Sequence, residues 1–296
     1  MSLEEISIQD LNLEVEHEKL HIKFEENDTF TLEKVRIFKS TFSNLGLKKA
    51  NFTSCSVNNS LFEKCYLRYA TFNNIDFTGS SFESCDLQNT KFNSCNLRYV
   101  KIRNCHINLK EVLGCLPQET NLKINLLKEL RMNQLSVGEN KSADELLIKI
   151  LDAEKDLLME RVKCATSYHK EREDLLSRVL AYLNYISLVS NDLVWGYGLR
   201  LSRLFRAGLI LVFFFALLIY YFTGSEYITS SVNGAILVKL DFWDSFYASY
   251  TNFTTIGYGN YIPITWKTQL IFAIENLLGL IFLGFLISGV YRRIAK

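Results

Sequence analysis

Several features are scarce or absent in this sequence. Proline occurs only at Pro117 and Pro263 and glycine only 14 times in 296 residues, which excludes collagen-like and low-complexity chains. The 33 Lys and Arg balance the 32 Asp and Glu, so the basic excess typical of nucleic-acid-binding proteins is missing and we expect no nucleic-acid partner. The first ten residues have no basic start and no apolar run, so we expect no cleaved secretory signal.

The seven cysteines lack the spacing of metal or redox sites. No C-x-x-C pair is present, which argues against zinc ligation and dithiol chemistry, and a disulfide framework is not expected without an export signal. Six of the seven have residue numbers divisible by five: Cys55, Cys65, Cys85, Cys95, Cys105 and Cys115. This regularity indicates one column of a repeat, in which the thiols fill small packed positions.

A five-residue period runs through the first half of the chain. From Leu32 to Val112 every fifth residue is apolar, and from Ser40 to Cys105 the residue two places before it is small or modestly apolar. A period of five fits neither a helix nor a strand, so it predicts a solenoid of very short strands and turns. Segments such as ANFTSCSVNNSLFEKC resemble the pentapeptide-repeat family. The resemblance implies a right-handed, four-sided β-helix over residues 30 to 116, with 20 residues per coil, after an N-terminal cap at residues 1 to 29.

Charge narrows what this solenoid could bind. Some pentapeptide-repeat proteins are acidic DNA mimics, but residues 32 to 112 contain twelve basic and six acidic side chains, so a mimic is disfavoured. Either this is an ordinary solvated exterior or it is a basic surface beside an anionic membrane leaflet. The solenoid could serve assembly, sensing, or the binding of a cytoplasmic protein or ligand.

Helical spacing replaces the period of five after residue 116. Apolar residues recur at i, i+3 and i+4 over residues 119 to 135 and 142 to 189, within a predicted linker at 117 to 192. Residues 193 to 206 are predicted to form an interfacial helix. The four histidines are scattered and no His, Asp or Glu cluster has metal-ligand spacing, so we expect neither an enzyme nor a cofactor.

Two long apolar segments near the C-terminus predict transmembrane helices. They cover residues 207 to 223 and 268 to 291, with an outer loop at 224 to 240. Arg200, Arg203 and Arg206 precede the first, and Arg292 and Arg293 follow the second. The positive-inside rule therefore predicts cytoplasmic termini for a multi-pass protein of the cell's inner or plasma membrane. Glu275, inside the second segment, is expected to bond to the pore helix or to face the cavity.

The run TIGYG lies between the two segments. It consists of Thr255, Ile256, Gly257, Tyr258 and Gly259 and resembles the TVGYG filter of two-transmembrane potassium channels. Backbone carbonyls that replace the hydration shell of K⁺ must all face one axis, which requires backbone angles of alternating sign. Gly257 and Gly259 can adopt these angles without steric cost. Ile256 and Tyr258 are expected to pack behind the filter, and one such loop cannot encircle an ion, so four chains are implied.

The surroundings of TIGYG also follow the potassium-channel pattern. Asp241 is a good N-cap for a pore helix over residues 241 to 254. Gly279 lies where this family has a gating glycine, and either a hinge or a helix-packing role is possible for it. Gly284 is a second candidate hinge, and Asn260 replaces the acid that usually follows the filter. One face of the second segment could line the inner cavity: Asn276, Leu280, Leu283 and Ile287.

The sequence as a whole predicts a multi-domain protein. It would combine a cytoplasmic solenoid, a helical linker and an α-helical two-transmembrane pore, assembled as a homotetramer in a lipid bilayer and selective for K⁺ as the permeant ion. Two alternatives stay open. One is a weakly selective cation channel, and the other is a membrane-anchored repeat scaffold with a vestigial pore.

Overall fold

The computed structural model describes residues 4–7, 16–18, 20–23, 30–222, 227–231, 234–237 and 240–294. The chain divides into two compact units, Met1–Tyr185 and Ile186–Lys296. Short strands dominate the beginning of the first unit, and long apolar helices dominate the second. The predicted combination of a solenoid of short strands with long apolar helices is therefore present in the structure.

Fifteen short strands are described in the first unit. In chain order they are β1 (Glu4–Ser7), β2 (Glu16–Glu18), β3 (Leu20–Lys23), β4 (Thr31–Glu33), β5 (Arg36–Phe38), β6 (Thr41–Ser43), β7 (Asn51–Thr53), β8 (Ser56–Asn58), β9 (Leu61–Glu63), β10 (Thr71–Asn73), β11 (Ser81–Glu83), β12 (Asp86–Leu87), β13 (Lys91–Asn93), β14 (Lys101–Arg103) and β15 (His106–Ile107). All their pairings are parallel.

The strands stack into a four-sided solenoid. Phe72 pairs with Phe52 on one side and with Phe92 on the other, so one coil takes 20 residues. The four sheets run β4-β7-β10-β13, β2-β5-β8, β1-β3-β6-β9-β11-β14 and β12-β15. The solenoid makes about four turns over the repeats and is followed by helices, which confirms the predicted multi-domain fold.

Both columns of the five-residue period fill the solenoid interior. The rings of Phe42, Phe62 and Phe82 stack with centroid separations of 4.3 and 4.8 Å. Each corner is turned by a residue of positive φ, such as Asn59 or Asn74, which returns the next pair of apolar residues to the interior. The period of five therefore arises from two inward residues and three residues that turn the chain.

The cysteines belong to this packed interior. The thiol of Cys65 donates to the carbonyl of Phe42, and that of Cys85 to the carbonyl of Phe62, each at 3.3 Å. Burial raises the pKa of the Cys55 thiol, which disfavours the reactive thiolate. All seven cysteines are free, and the six other than Cys164 belong to the column of small side chains.

The ends of the solenoid differ from the prediction. β2 pairs with β5 and β3 pairs with β6, so the sheets begin within the segment predicted as a cap. The sequence pattern fades there because His17 holds the register position of Ile37. At the other end, the last predicted repeat forms the helix α1 (Leu109–Leu113), in which Val112 remains buried.

Four further helices follow: α2 (Thr120–Ser136), α3 (Asn140–Lys163), α4 (Ser167–Arg172) and α5 (Leu175–Trp195). Helices cover most of residues 142 to 189, as the apolar spacing predicts, but the chain turns at Cys164, which has a φ of 49°. The Arg161 guanidinium then binds the carboxylate of Glu173 at 2.6 and 3.2 Å, which fixes the turn.

α2 closes the last coil of the solenoid. The Asn133 amide donates to the Cys105 carbonyl and accepts from its amide, both at 2.8 Å. The side chain thus makes the two hydrogen bonds that a further coil would otherwise supply. Leu127 and Leu130 are fully buried in the same apolar core.

In its described residues, the second unit contains the end of α5, three further helices and three strands. They are α6 (Leu201–Phe222), β16 (Tyr227–Ser231), β17 (Gly234–Leu237), α7 (Phe242–Phe253), β18 (Tyr261–Pro263) and α8 (Trp266–Ile294). The separate interfacial helix predicted at 193 to 206 is absent from this described segment. Gly196, Tyr197 and Gly198 all have positive φ and end α5, and α6 begins at Leu201.

Candidate functional site

The site is a short helix and an irregular loop held between two long apolar helices. By length and composition, segments Leu201–Phe222 and Trp266–Tyr291 could each cross a membrane. α6 and α8 pack closely at Gly208, where an added Cβ would lie 2.6 Å from the Phe282 ring. The Phe282 ring also contacts that of Phe253 at the end of α7, so the three helices share one packing centre.

α7 begins and ends as the sequence predicts. The Asp241 carboxylate accepts from the Asp244 amide at 2.7 Å, which makes it the N-cap. The helix ends at Phe253, and its C-cap, Thr254, is the residue before TIGYG. Its C-terminal end, where the helix dipole is negative, therefore adjoins the loop and favours a cation there.

The backbone of TIGYG alternates in sign. φ is 60° at Thr255, 57° at Gly257 and 74° at Gly259, whereas Ile256 and Tyr258 do not have positive φ. A strand or helix would repeat one conformation, so this alternation is a distinct backbone form. The glycines adopt it freely, but Thr255 carries a Cβ and is strained by about 1 to 2 kcal/mol.

Hydrogen bonds from α7 hold the strained inner end of the loop. The Thr255 amide donates to the carbonyl of Asn252 at 3.0 Å. The amides of Ile256 and Gly257 both donate to the carbonyl of Thr251, at 3.0 and 3.2 Å. Three successive amides of the loop, those of Thr255, Ile256 and Gly257, are thus occupied by the end of α7.

The outer end of the loop is tied down separately. Tyr261 donates its hydroxyl to the Asp244 carboxylate at 2.9 Å, and β18 pairs with β16. Burial and the nearby Asp244 carboxylate raise the pKa of Tyr261 to about 12, so the phenol keeps its proton at neutral pH. These contacts anchor the segment after Asn260, where the sequence lacks the usual acid.

The side chains expected to pack behind the filter are exposed within one chain. Ile256 is 48% exposed and Tyr258 is 67% exposed. Thr255, Gly257 and Gly259 are exposed as well. A single chain therefore presents this loop without enclosing it.

Gly279 and Gly284 have different surroundings. A Cβ on Gly279 would overlap the carbonyl oxygen of Phe253 at the end of α7, whereas a Cβ on Gly284 would meet nothing within 4 Å. The close approach favours the packing role for Gly279. The hinge role of either glycine remains a prediction.

The residues predicted to line a cavity are not covered by the rest of the chain. Leu280, Leu283 and Ile287 are 53%, 47% and 60% exposed, and Asn276 is half-buried. Asn276 and Leu280 border a groove on the chain surface beside Asn252. Their cavity-lining role stays a prediction, because it depends on other copies of the chain.

Glu275 turns toward α7. It is fully buried and hydrogen-bonded to Ser249 and Asn252, the latter at 2.8 Å. Of the two orientations left open by the sequence, the structure has the one that reaches the pore-loop helix. Sequence reasoning did not identify Ser249 and Asn252 as its partners, although polar residues in a helix beside an apolar span were the available signal.

Each half of the chain matches a model of a known protein family. Residues 207–296 match a family model described as "Ion channel". Residues 47–83 and 72–108 match the model described as "Pentapeptide repeats", with eight copies. The chain carries an ion-channel domain after pentapeptide repeats. With its two apolar helices, the ion-channel domain indicates a membrane protein.

Comparisons with individual proteins add less. No curated protein matches the chain. One matching solved structure is that of QnrB1, a plasmid-mediated fluoroquinolone resistance protein, with 17% identity and a TM-score of 0.16. The match covers 32% of this chain and only 54% of that one. Similarity at this level says nothing about what the present chain binds.

Proposed function

We propose that four copies of this chain form a potassium-selective channel with a cytoplasmic pentapeptide-repeat domain. The observation that carries this proposal is the backbone of residues 255 to 259. Positive φ at the first, third and fifth residues of TIGYG is the alternation needed to turn successive carbonyls toward one axis. The bonds from Thr251 and Asn252 pre-organise this backbone, so little reorganisation is needed when an ion enters.

The proposed mechanism is coordination without chemistry. Four loops around an axis would offer rings of carbonyl oxygens, with the Thr255 hydroxyls completing the innermost ring, in place of the hydration shell of K⁺. For a smaller ion such as Na⁺, the free-energy cost of dehydration would exceed the stabilisation that fixed carbonyl rings provide. The negative ends of four α7 helices would favour a cation at the inner entrance.

Exposure within one chain supports assembly. Ile256, Tyr258 and the α8 residues Leu280, Leu283 and Ile287 are apolar or aromatic and largely uncovered. Neighbouring copies around a four-fold axis would bury the first two and enclose a cavity with the others. Basic residues at the start of α6 and the end of α8 would place both termini in the cytoplasm.

Ion flux into vesicles tests the proposal. We expect reconstituted protein to pass K⁺ but not Na⁺ and to be blocked by Ba²⁺, an ion similar in size to K⁺. Equal flux of the two ions would favour a weakly selective cation channel. No flux at any voltage would favour a membrane-anchored scaffold.

The variant Gly257→Ala tests the carbonyl rings directly. Its φ of 57° is strained for alanine, so the carbonyl would rotate and K⁺ flux should be lost while assembly is kept. Gly138→Ala is the matched control, since Gly138 also has positive φ and free space but lies in the linker. Wild-type flux in Gly257→Ala would refute the carbonyl-ring account.

A further inference from the structure

A carboxyl group lies buried between the three helices of the ion-channel domain. Glu275, in the middle of α8, is fully buried, and its hydrogen-bond partners are the uncharged residues Ser249 and Asn252. In the described part of the chain, no Lys, Arg or His is paired with it. A carboxylate buried without a counter-charge is very costly, particularly at membrane depth.

The number of hydrogens available for these contacts indicates the protonation state of Glu275. The Ser249 hydroxyl has one hydrogen, but it lies within bonding distance of two oxygens, the Val212 carbonyl at 2.8 Å and Oε1 of Glu275. The carbonyl can only accept. Both contacts are hydrogen bonds at the same time only if the Glu275 carboxyl supplies a proton to Ser249, which then donates to Val212.

The other half of the carboxyl is then also satisfied. The Asn252 side-chain amide has two hydrogens, and it donates one to Oε2 of Glu275 at 2.8 Å and the other to the Phe272 carbonyl at 2.9 Å. The neutral acid thus gives a continuous chain of hydrogen bonds from α6 through α7 to α8. Fully satisfied buried networks of this kind fix the elements that they connect.

This network ends at the filter. Asn252 is bound to α8 through its side chain, and its main-chain carbonyl accepts from the amide of Thr255, the strained first residue of TIGYG. Asn252 therefore connects α8 to the backbone of the loop. A shift of the Asn252 side chain would move the carbonyl that holds Thr255.

We propose that Glu275 is a positioning residue that acts as a neutral acid, linking α8 through Ser249 and Asn252 to the inner end of the filter. This proposal deepens the proposed channel function, and its conduction readouts rest on that function. Deprotonation would leave the one Ser249 hydrogen to be shared between two acceptors and would place an unpaired charge between the helices. The filter should therefore lose its support at alkaline pH.

Other titratable groups lie on the same helices but do not contact this carboxyl. None of the following is hydrogen-bonded or ion-paired to Glu275: Arg203, Arg206, Tyr220 and Tyr221 on α6, Asp244, Tyr247 and Tyr250 on α7, and Lys267, Tyr291 and Arg293 on α8. An alkaline response that depends on position 275 is thus assignable to this group.

The conservative variant Glu275→Gln provides the sharpest test. A glutamine amide can donate to Ser249 and accept from Asn252, but it cannot lose a proton. In vesicles, we expect Glu275→Gln to keep the neutral-pH ratio of K⁺ to Na⁺ flux and to retain it at alkaline pH, where the wild type loses it. Glu275→Leu should lower the ratio about tenfold, because it leaves Ser249 and Asn252 without their partner. Gln269→Leu, which removes an exposed polar side chain from the same helix, should resemble the wild type.

Infrared spectroscopy tests the protonation state of Glu275 independently of ion conduction. The difference spectrum of wild type minus Glu275→Gln at neutral pH should contain the C=O stretching band of a protonated carboxylic acid. If that band is present but no K⁺ flux occurs, the channel function fails and the neutral acid stands. If the band is absent, or if Glu275→Gln loses selectivity as far as Glu275→Leu does, the proposal is wrong. The infrared spectrum and the flux of Glu275→Gln test the proposal even if Glu275→Leu does not assemble.

Discussion

At the residue scale, Gly279 marks a close approach between α8 and the end of α7. The carbonyl oxygen of Phe253 occupies the space that a Cβ would need, and the obstacle is backbone, which cannot rotate away. Phe253 immediately precedes the turn into TIGYG. Separation of the two helices at this point would therefore displace the base of the loop.

The pair Gly279→Ala and Gly284→Ala distinguishes packing from bending. We expect Gly279→Ala to destabilise the assembled protein by about 1 to 3 kcal/mol, because of this overlap. Gly284→Ala has free space and should be neutral or stabilising by up to about 1 kcal/mol, since alanine favours the helix. Thermal unfolding of the purified protein measures both. Unchanged stability of Gly279→Ala together with altered opening in single-channel recordings would point to a hinge instead.

The alternating backbone angles of the loop could be predicted from its own residues, but the contacts that hold the loop could not. The positions of Gly257 and Gly259 in the motif were enough to predict alternating backbone signs. The positive φ of Thr255 was not predictable, because it is held by the carbonyl of Asn252 at the end of another element. The direction of Glu275 was open for the same reason, since it depends on how α8 is rotated against α7.

At the element scale, the solenoid depends on how its last coil is closed. Asn133 of α2 bonds both backbone groups of Cys105, and these groups are buried. Since no further strand follows on this face, the amide side chain replaces a neighbouring backbone. The helix therefore acts as the C-terminal cap of the solenoid, a part that repeat proteins require for stability.

The variant Asn133→Leu tests this cap. It would leave the amide and carbonyl of Cys105 without partners, each at a cost of about 1 to 3 kcal/mol. We expect a lower midpoint of guanidinium-induced unfolding, followed by circular dichroism of the β-structure. The exposed Asn125 on the same helix is the matched control, and Asn125→Leu should leave the midpoint unchanged. Equal effects of the two substitutions would show that Asn133 is not a cap.

Elements set by local pattern were predictable, and those set by distant contacts were not. Each repeat carries its own inward pair, so the period of five predicts a solenoid of short strands and turns, and the pentapeptide-repeat resemblance implies its four sides. β2 and β3 were missed because the apolar column is interrupted before Leu32, as His17 at the register position of Ile37 shows. The break at Cys164 was missed because the ion pair that fixes it joins Arg161 of α3 to Glu173, which follows the end of α4.

At the scale of the whole molecule, the chain joins an ion-channel domain to pentapeptide repeats. The sequence predicted this division from the five-residue period in the first half and from the TIGYG motif between two apolar runs in the last third. The proposed assembly of four chains rests on geometry, since one five-residue loop cannot surround an ion. The exposed faces of Ile256 and Tyr258 are consistent with copies that cover one another.

A cryo-electron microscopy map of the purified protein in K⁺ is the most direct test of the central claim. We predict four chains around one axis, with ion density between the carbonyl oxygens of residues 255 to 259. The loops of adjacent chains should bury the rings of Tyr258. A monomer or dimer, or carbonyls of Ile256 and Gly257 turned away from the axis, would contradict the account.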